Sequence, residues 1–370
     1  MTPRTPVPVA VVGGGRVARA VHIPLILMNP EAFALVAVIE TDPLKAASLG
    51  RELPGIVVAP GLETAFDKGA RAVVCATPWP THRAVVLEAL ERGVHVLTEK
   101  PVSLDPADIE ALSAAERSSA GTVSVGYMKR HDPAAARFVD TVAERLHRLR
   151  RISVDIVDPD SPRQVAHRMA TPLEPSADTR ALAEETVRGL LDRASDGQRA
   201  VYSRGLGGSL IHQINLVHTV LAGSPYELLG RIRHSTHWAG GAAVSCGWWP
   251  SDGFGVQMSH VRAPEAPGYT EVIEAVTDDC RLTLRAPSPY LLEQAMTFTE
   301  QSRGRLGVYP APPQHNGFVR QLESWAASLR GASPALPGLD EVLRDLAVVR
   351  EAALTSTEAE PREQASEVNA

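Results

Sequence analysis

Val9-Ala10-Val11-Val12-Gly13-Gly14-Gly15-Arg16-Val17-Ala18 decides the fold. An apolar strand, a glycine turn and a helix start follow one another directly, the order of a dinucleotide-binding βα unit. Gly13 permits the tight turn, Gly15 removes a side chain where backbone meets pyrophosphate, and Ala18 keeps helix and strand close. The helix start, with Arg16 and Val17, offers unpaired N–H groups and a partial positive charge to phosphate.

Outward from this turn, the apolar runs 7–12, 34–39, 73–76, 95–98 and 122–125 read as strands. Between them lie stretches such as 81–92, with helical spacing and a stop at Gly93. Fully apolar strands alternating with helices predict a doubly wound parallel sheet, an α/β Rossmann domain ending at residue 127. Beyond Arg150 strand-like runs dominate: 151–157, 227–238, 243–249, 253–262, 270–277, 280–285 and 291–298. They predict an α+β second domain over 128–356 with a large, open, mostly antiparallel sheet. Helical stretches are expected near 178–194, 209–221, 317–330 and 339–356, the last two with the option of packing back on the first domain. After residue 356 the composition turns acidic and polar, which predicts a disordered tail over 357–370.

Composition narrows the function. The net charge is −6, and no basic block with interleaved aromatics is present, which argues against nucleic acid. No apolar run approaches the roughly 18 residues a membrane helix needs, so no membrane partner is expected. Three well-separated cysteines, Cys75, Cys246 and Cys280, form no metal-spaced pair. They suit a reducing, cytoplasmic compartment, and no metal is expected.

Glu40 closes the second strand, 25 residues beyond Gly15, near the distance at which an acidic side chain reaches the adenosine ribose hydroxyls. A carboxylate there repels a 2′-phosphate and favours NAD over NADP. The competing reading makes Glu40 a solvated turn residue, with Asp42 capping the following helix.

Four further segments are specific. They are Arg19-Ala20-Val21-His22-Ile23-Pro24, Ala76-Thr77-Pro78 with His82 shortly after, Gly93 to Pro101 ending Glu99-Lys100-Pro101, and Val125-Gly126-Tyr127-Met128-Lys129-Arg130-His131-Asp132-Pro133. Together they resemble the glucose–fructose oxidoreductase / inositol dehydrogenase / rhizopine-catabolism (Gfo/Idh/MocA) family. The resemblance is close over 7–140, recurs over 318–356, and is loose between. It implies hydride transfer between a nicotinamide and a carbinol or carbonyl carbon of a sugar, cyclitol or similar small molecule. It also implies a dimer or tetramer formed through the second-domain sheet.

The resemblance assigns Lys100 to the catalytic lysine, an ammonium able to stabilise an alkoxide and exchange a proton. Glu99 would fix Lys100 or line the cofactor site. Thr77 and Pro78, at a strand's C-terminal edge, would contact the cofactor; His82 either joins them or packs at the helix start. Tyr127 and Lys129 would face the substrate, and Met128 makes that pocket less hydrophilic than a plain sugar site. In the second half the chain departs from the family's Asp-x-Gly-x-His pattern. It reads Gly207-Gly208-Ser209-Leu210-Ile211-His212-Gln213-Ile214-Asn215, with no aspartate. His212 at the histidine position and Asn215 at the following aspartate position give the better match, with both on one helix face; a shifted match puts Asn215 at the histidine. His212 is thus a candidate for proton exchange and substrate contact, and Asn215 a catalytic candidate. His218 and His22 carry no such claim. The longer segment 173–204 reads equally as a pocket wall and as a solvated decoration.

Two other functions remain open. One is a hydrolase or lyase retaining NAD as a redox catalyst. The other is a cofactor-binding homologue without turnover, motivated by the missing aspartate.

Overall fold

A computed structural model describes residues 5–159, 164–167, 174–333 and 336–359. Six short strands form the first sheet: β1 (Val7–Val12), β2 (Phe33–Ile39), β3 (Val57–Ala59), β4 (Ala72–Cys75), β5 (His95–Thr98) and β6 (Val123–Val125). Their order is β3-β2-β1-β4-β5-β6 and every pairing is parallel. Residues such as Val9, Val11, Val73, Val74 and Val96 are fully buried, because helices cover both faces. The order reverses between β1 and β4, and the crevice outside their carboxyl ends is where open α/β sheets bind ligands.

The second sheet holds β7 (Leu149–Asp158), β8 (Ile232–Trp238), β9 (Ala243–Ser251), β10 (Phe254–Arg262), β11 (Thr270–Thr277), β12 (Cys280–Ala286), β13 (Thr297–Ser302), β14 (Arg305–Pro310) and β15 (Thr357–Glu358). The order is β14-β13-β12-β11-β7-β10-β9-β8-β15. Pairings are antiparallel except β7 with β10 and β8 with β15. One face is covered by helices and the other is open, which gives β11 its alternation of buried Glu271, Ile273, Ala275 and Thr277 with half-buried neighbours. The fold is therefore the α/β plus α+β arrangement expected from the sequence.

Several elements differ from expectation. In the run 291–298 a short turn and irregular backbone precede the strand, which starts at Thr297. β14, with Gly307 and a terminal proline, is an edge strand whose composition hides it. The expected disordered tail is corrected at its start, because Thr357 and Glu358 pair with Thr236 and His237; residues 360–370 lie outside the described residues. Among the described residues no helix is long and apolar enough to cross a membrane.

The C-terminal helices return to the first sheet. Trp325, on the Gly317–Leu329 helix, packs its ring 5.7 Å from that of Phe33. Val125 N donates to Pro337 O at 2.9 Å. These contacts pack the C-terminal segments onto the first sheet.

Candidate active site

The glycine turn divides its three glycines by role. Gly13 has a φ of +96°, and a Cβ there would lie 2.8 Å from Ala76 O. A Cβ at Gly14 would lie 2.4 Å from Leu49 Cδ1. At Gly15 a Cβ would meet nothing within 4 Å, so this position faces open space. Arg19 N–H reaches Gly15 O, which opens the helix there and leaves the preceding turn's N–H groups without intrahelical partners. Arg16 sits beside this space, its Nε buried without a partner and its Nη2 bonded to Glu174 at 2.6 Å. Open backbone, free donors and an unsatisfied guanidinium edge suit a pyrophosphate. Ala18, fully buried, packs helix on strand, and a π-turn runs over Ala18–His22.

Glu40 is 9% exposed and bonded at both oxygens: Gly14 N donates to Oε2 and Asp42 N to Oε1, each at 2.8 Å. It braces the turn from the end of β2, and the solvated-turn reading does not describe it. Asp42 caps the next helix, accepting from Leu44 N and Lys45 N.

Beyond the switch point the cleft encloses about 220 Å³. Val17, Thr77, His82, Glu99, Lys100 and Pro101 line it from the first sheet's side; Met128, His212, Tyr290 and Phe318 line it from the other. Lys100 ends β5's extension, and its Nζ donates to Gly208 O at 2.6 Å. Burial lowers its pKa to about 8, with Lys129 adding to the shift and Glu99, Asp158 and Glu271 opposing it. Glu99 accepts from His22 Nε2 at 2.7 Å. Burial raises its pKa, but the hydrogen bond from His22 and the electrostatic pull of His22, Lys100 and His82 outweigh this and leave it below the usual carboxylate range.

His82 is 1% exposed, with ring nitrogens 2.7 Å from Thr77 O and 3.1 Å from Pro101 O. It ties the ends of β4 and β5 together and has no free nitrogen for chemistry. Pro78 is exposed and does not line the cleft; its carbonyl accepts from Thr81.

The second half of the site comes from the Ile211–Leu221 helix, preceded by a π-helical stretch over Val201–Leu210. A Cβ at Gly207 would lie 2.7 Å from Leu104 Cδ2, so this glycine lets the stretch approach the first domain and carry the Gly208 carbonyl to Lys100. His212 lines the cleft at 6% exposure. Burial holds its pKa well below the ordinary value, helped by Lys100 and Lys129, and its Nδ1 is buried without a partner.

Asn215 does not reach the cleft. Its Nδ2 donates to Asp345 Oδ2 at 2.8 Å and its Oδ1 accepts from Arg130 at 3.2 Å. His218 joins the same cluster, its Nδ1 2.6 Å from Asp345 Oδ1. Tyr127 packs edge-on behind His212, ring centroids 6.0 Å apart; burial, Asp345 and Glu341 raise its pKa. Lys129 is also turned inward: Glu271 Oε2 lies 2.5 Å from its Nζ, and Gln213 and Tyr269 donate to the same carboxylate. Thus Lys100 and His212 share the cleft, whereas Tyr127, Lys129 and Asn215 support it from behind.

Residues the sequence reasoning missed are His22, Glu271, Asp345, Tyr290 and Phe318. Two carried a signal. Glu271 holds an inward phase of an alternating strand, and Asp345 sits at helical spacing from buried Val342, Leu346 and Val349. Among the described residues no group of three or more His, Cys, Asp or Glu side chains is placed to hold a metal ion.

The two sheets and the glycine turn define a Rossmann domain joined to a second, open-sheet domain. Residues 7–127 match the profile of the Gfo/Idh/MocA oxidoreductase family, described as having an NAD-binding Rossmann fold. Inositol 2-dehydrogenase from Arthrobacter sp. (strain FB24) is 32% identical over 126 residues, 34% of this chain and 37% of that protein. Myo-inositol dehydrogenase Hyg17 from Streptomyces leeuwenhoekii is 30% identical over 155 residues, 41% of this chain and 47% of that protein. These matches therefore span less than half the length of either relative. Among solved structures, a 3-ketoreductase from Actinomadura kijaniata in complex with NADP has a TM-score of 0.70 at 18% identity, covering 95% of this chain and 98% of that one. UDP-N-acetylglucosamine 3-dehydrogenase from Acidithiobacillus ferrooxidans gives 0.69 at 17% identity, with 95% and 98% coverage. These share the fold over nearly the whole chain.

Proposed function

We propose that this protein is an NAD-dependent oxidoreductase acting on a CH–OH group of a cyclitol, sugar or sugar-like metabolite. The observation that carries the reading is Lys100. A buried amine with a pKa near 8 lies in the cleft at the carboxyl edge of the parallel sheet, beside His212 and downstream of a glycine turn shaped for pyrophosphate. The names of the inositol dehydrogenase relatives supply the cyclitol class.

Gly13, Gly15, Arg16 and Val17 would hold the dinucleotide's pyrophosphate side, Glu40 its adenosine ribose, and Thr77 and Glu99 the nicotinamide side. Ala18 and His82 shape these walls, and Pro78 lies outside them. A bound nicotinamide supplies the hydride acceptor or donor; the chain's task is the proton. As a carbinol carbon loses hydride, Lys100 in its amine form takes the hydroxyl proton while the carbonyl forms. In the reverse direction the ammonium returns it. The bond to Gly208 O fixes Nζ and leaves its remaining hydrogens for the substrate. His212, held neutral by its surroundings, orients the same oxygen. Tyr127, Lys129 and Asn215 keep this pair in register.

Glu40 supports NAD over NADP: a bonded, buried carboxylate at the end of β2 repels a 2′-phosphate. Nearby Arg19 is engaged by Glu52, Ser48 and two carbonyls. The same reading divides the chain at residue 127. It places dimer or tetramer contacts on the open sheet face, where Trp249, Leu306 and Val308 are exposed. The three buried, free cysteines support a cytoplasmic setting.

The test is a panel of cyclitols, sugars and sugar nucleotides assayed with NAD and NADP for reduced-nicotinamide absorbance, repeated with Lys100→Ala. Turnover with NAD that disappears in the variant supports the reading. Substrate cleavage without net NADH would select the hydrolase or lyase instead.

A further inference from the structure

Charge is distributed unevenly around the cleft. Lys129 is ion-paired with Glu271, Arg16 with Glu174 at the phosphate end, and His212 is neutral at ordinary pH. His82 is engaged by two carbonyls. Lys100 bonds a carbonyl and has no ion-pair contact with Glu99. Glu99 is the acidic side chain that lines the cleft, 13% exposed and with no lysine or arginine bonded to it.

Its partner is His22, 1% exposed, whose Nδ1 is buried with nothing to bond. A doubly protonated ring would strand an Nδ1–H there. The tautomer that leaves no donor unpaired carries its proton on Nε2 and donates it to Glu99. The pair is then a neutral imidazole holding a carboxylate, and it keeps one negative charge. Burial alone would favour protonating Glu99; the His22 bond and positive neighbours hold its pKa low, so the charge persists. Phe318 packs edge-on against the His22 ring at 6.0 Å and fixes its plane. On the carboxylate's other side, a Cβ at Gly126 would lie 3.3 Å from Glu99 Oε2, so this glycine leaves room for it.

We infer that Glu99, oriented by His22, makes the cleft bind the oxidised dinucleotide in preference to the reduced one. The inference rests on the nicotinamide reading above. The oxidised ring carries a positive charge and the reduced ring carries none. A fixed negative charge in a poorly solvated cleft therefore acts on one form and not on the other. By linkage, stronger binding of the oxidised form lowers the potential of the bound couple, by about 30 mV for each tenfold in the affinity ratio of a two-electron couple. Glu99 is the source of the preference and His22 is a positioning residue.

The experiment measures binding, not turnover. NAD⁺ and NADH are titrated separately by calorimetry into wild-type protein, Glu99→Gln and His22→Phe. The near-isosteric Glu99→Gln should weaken NAD⁺ about tenfold while changing NADH less than about twofold. His22→Phe should move the ratio in the same direction by a smaller factor. Equal weakening of both forms, as a purely structural role would give, overturns the inference and leaves the nicotinamide reading intact. Should Glu99→Gln fail to fold, His22→Phe decides, and an unchanged ratio there overturns it. Failure of wild-type protein to bind either form overturns the nicotinamide reading itself, and this inference with it.

Discussion

The Lys100 ammonium donates a 2.6 Å hydrogen bond to the carbonyl of Gly208, a residue 108 positions further along the chain. One residue ends a parallel strand; the other belongs to the π-helical stretch before the His212 helix. The bond joins the two halves of the cleft at the amine that the proposed function makes the proton carrier. It also fits a glycine at 207, where a side chain would meet Leu104 and hold the two halves apart.

A pKa near 8 at Lys100 sets the pH dependence. Oxidation needs the amine, so its kcat should rise as pH passes through about 8. Reduction needs the ammonium and should fall over the same range. Both slopes can be read from initial rates in each direction, and Lys100→Arg should abolish them, because arginine does not deprotonate.

His212 is held neutral by burial and by the nearby lysines. Replacing it with asparagine should lower kcat on the order of 10²-fold through lost orientation. The shape of the pH profile should not change. A limb near pH 6.5 that vanished in His212→Asn would instead assign the histidine a titrating role.

Gly13→Ala should strain the turn twice over, through its positive φ and a Cβ 2.8 Å from Ala76 O. The expected cost is about 1–3 kcal/mol, together with weaker dinucleotide binding. Gly15→Ala meets nothing in the free protein and should leave stability nearly unchanged while still weakening NAD. Melting temperatures set beside NADH titrations separate the two effects.

Asp345 is fully buried and accepts from Asn215 and His218. Asp345→Ala leaves His218 Nδ1 without its acceptor and Asn215 with only the longer bond to Glu341, and should cost roughly 3–5 kcal/mol. Chemical denaturation measures this directly. If Asp345→Ala proved as stable as wild type, the cluster behind His212 would not be what holds that helix.

The first sheet was legible because parallel strands buried on both faces are written in nearly pure Val and Ala. Three-residue β3 was too short to register, and β14 was masked by its glycine and proline. Motif and spacing placed Lys100 and His212 near one another, and they line one cleft. Asn215, Tyr127 and Lys129 were placed in the right neighbourhood but on the wrong side of the cleft wall. A helix face alone does not say which of its neighbours meets solvent. The carboxylate missing from the His212 helix was sought within that helix, yet the acids in contact with Asn215 are Glu341 and Asp345, 126 and 130 residues later. Only tertiary packing brings them there, although the place of Asp345 on an apolar helix face marked it as unusual.

The most direct measurement pairs affinity with turnover in Lys100→Ala. The account predicts that NADH still binds within about threefold of wild type, since the glycine turn and Glu40 are untouched, while turnover on any substrate found in the panel falls by about 10²–10⁴-fold. Undiminished turnover in the variant, or wild-type protein with no affinity for either nicotinamide dinucleotide, would contradict it.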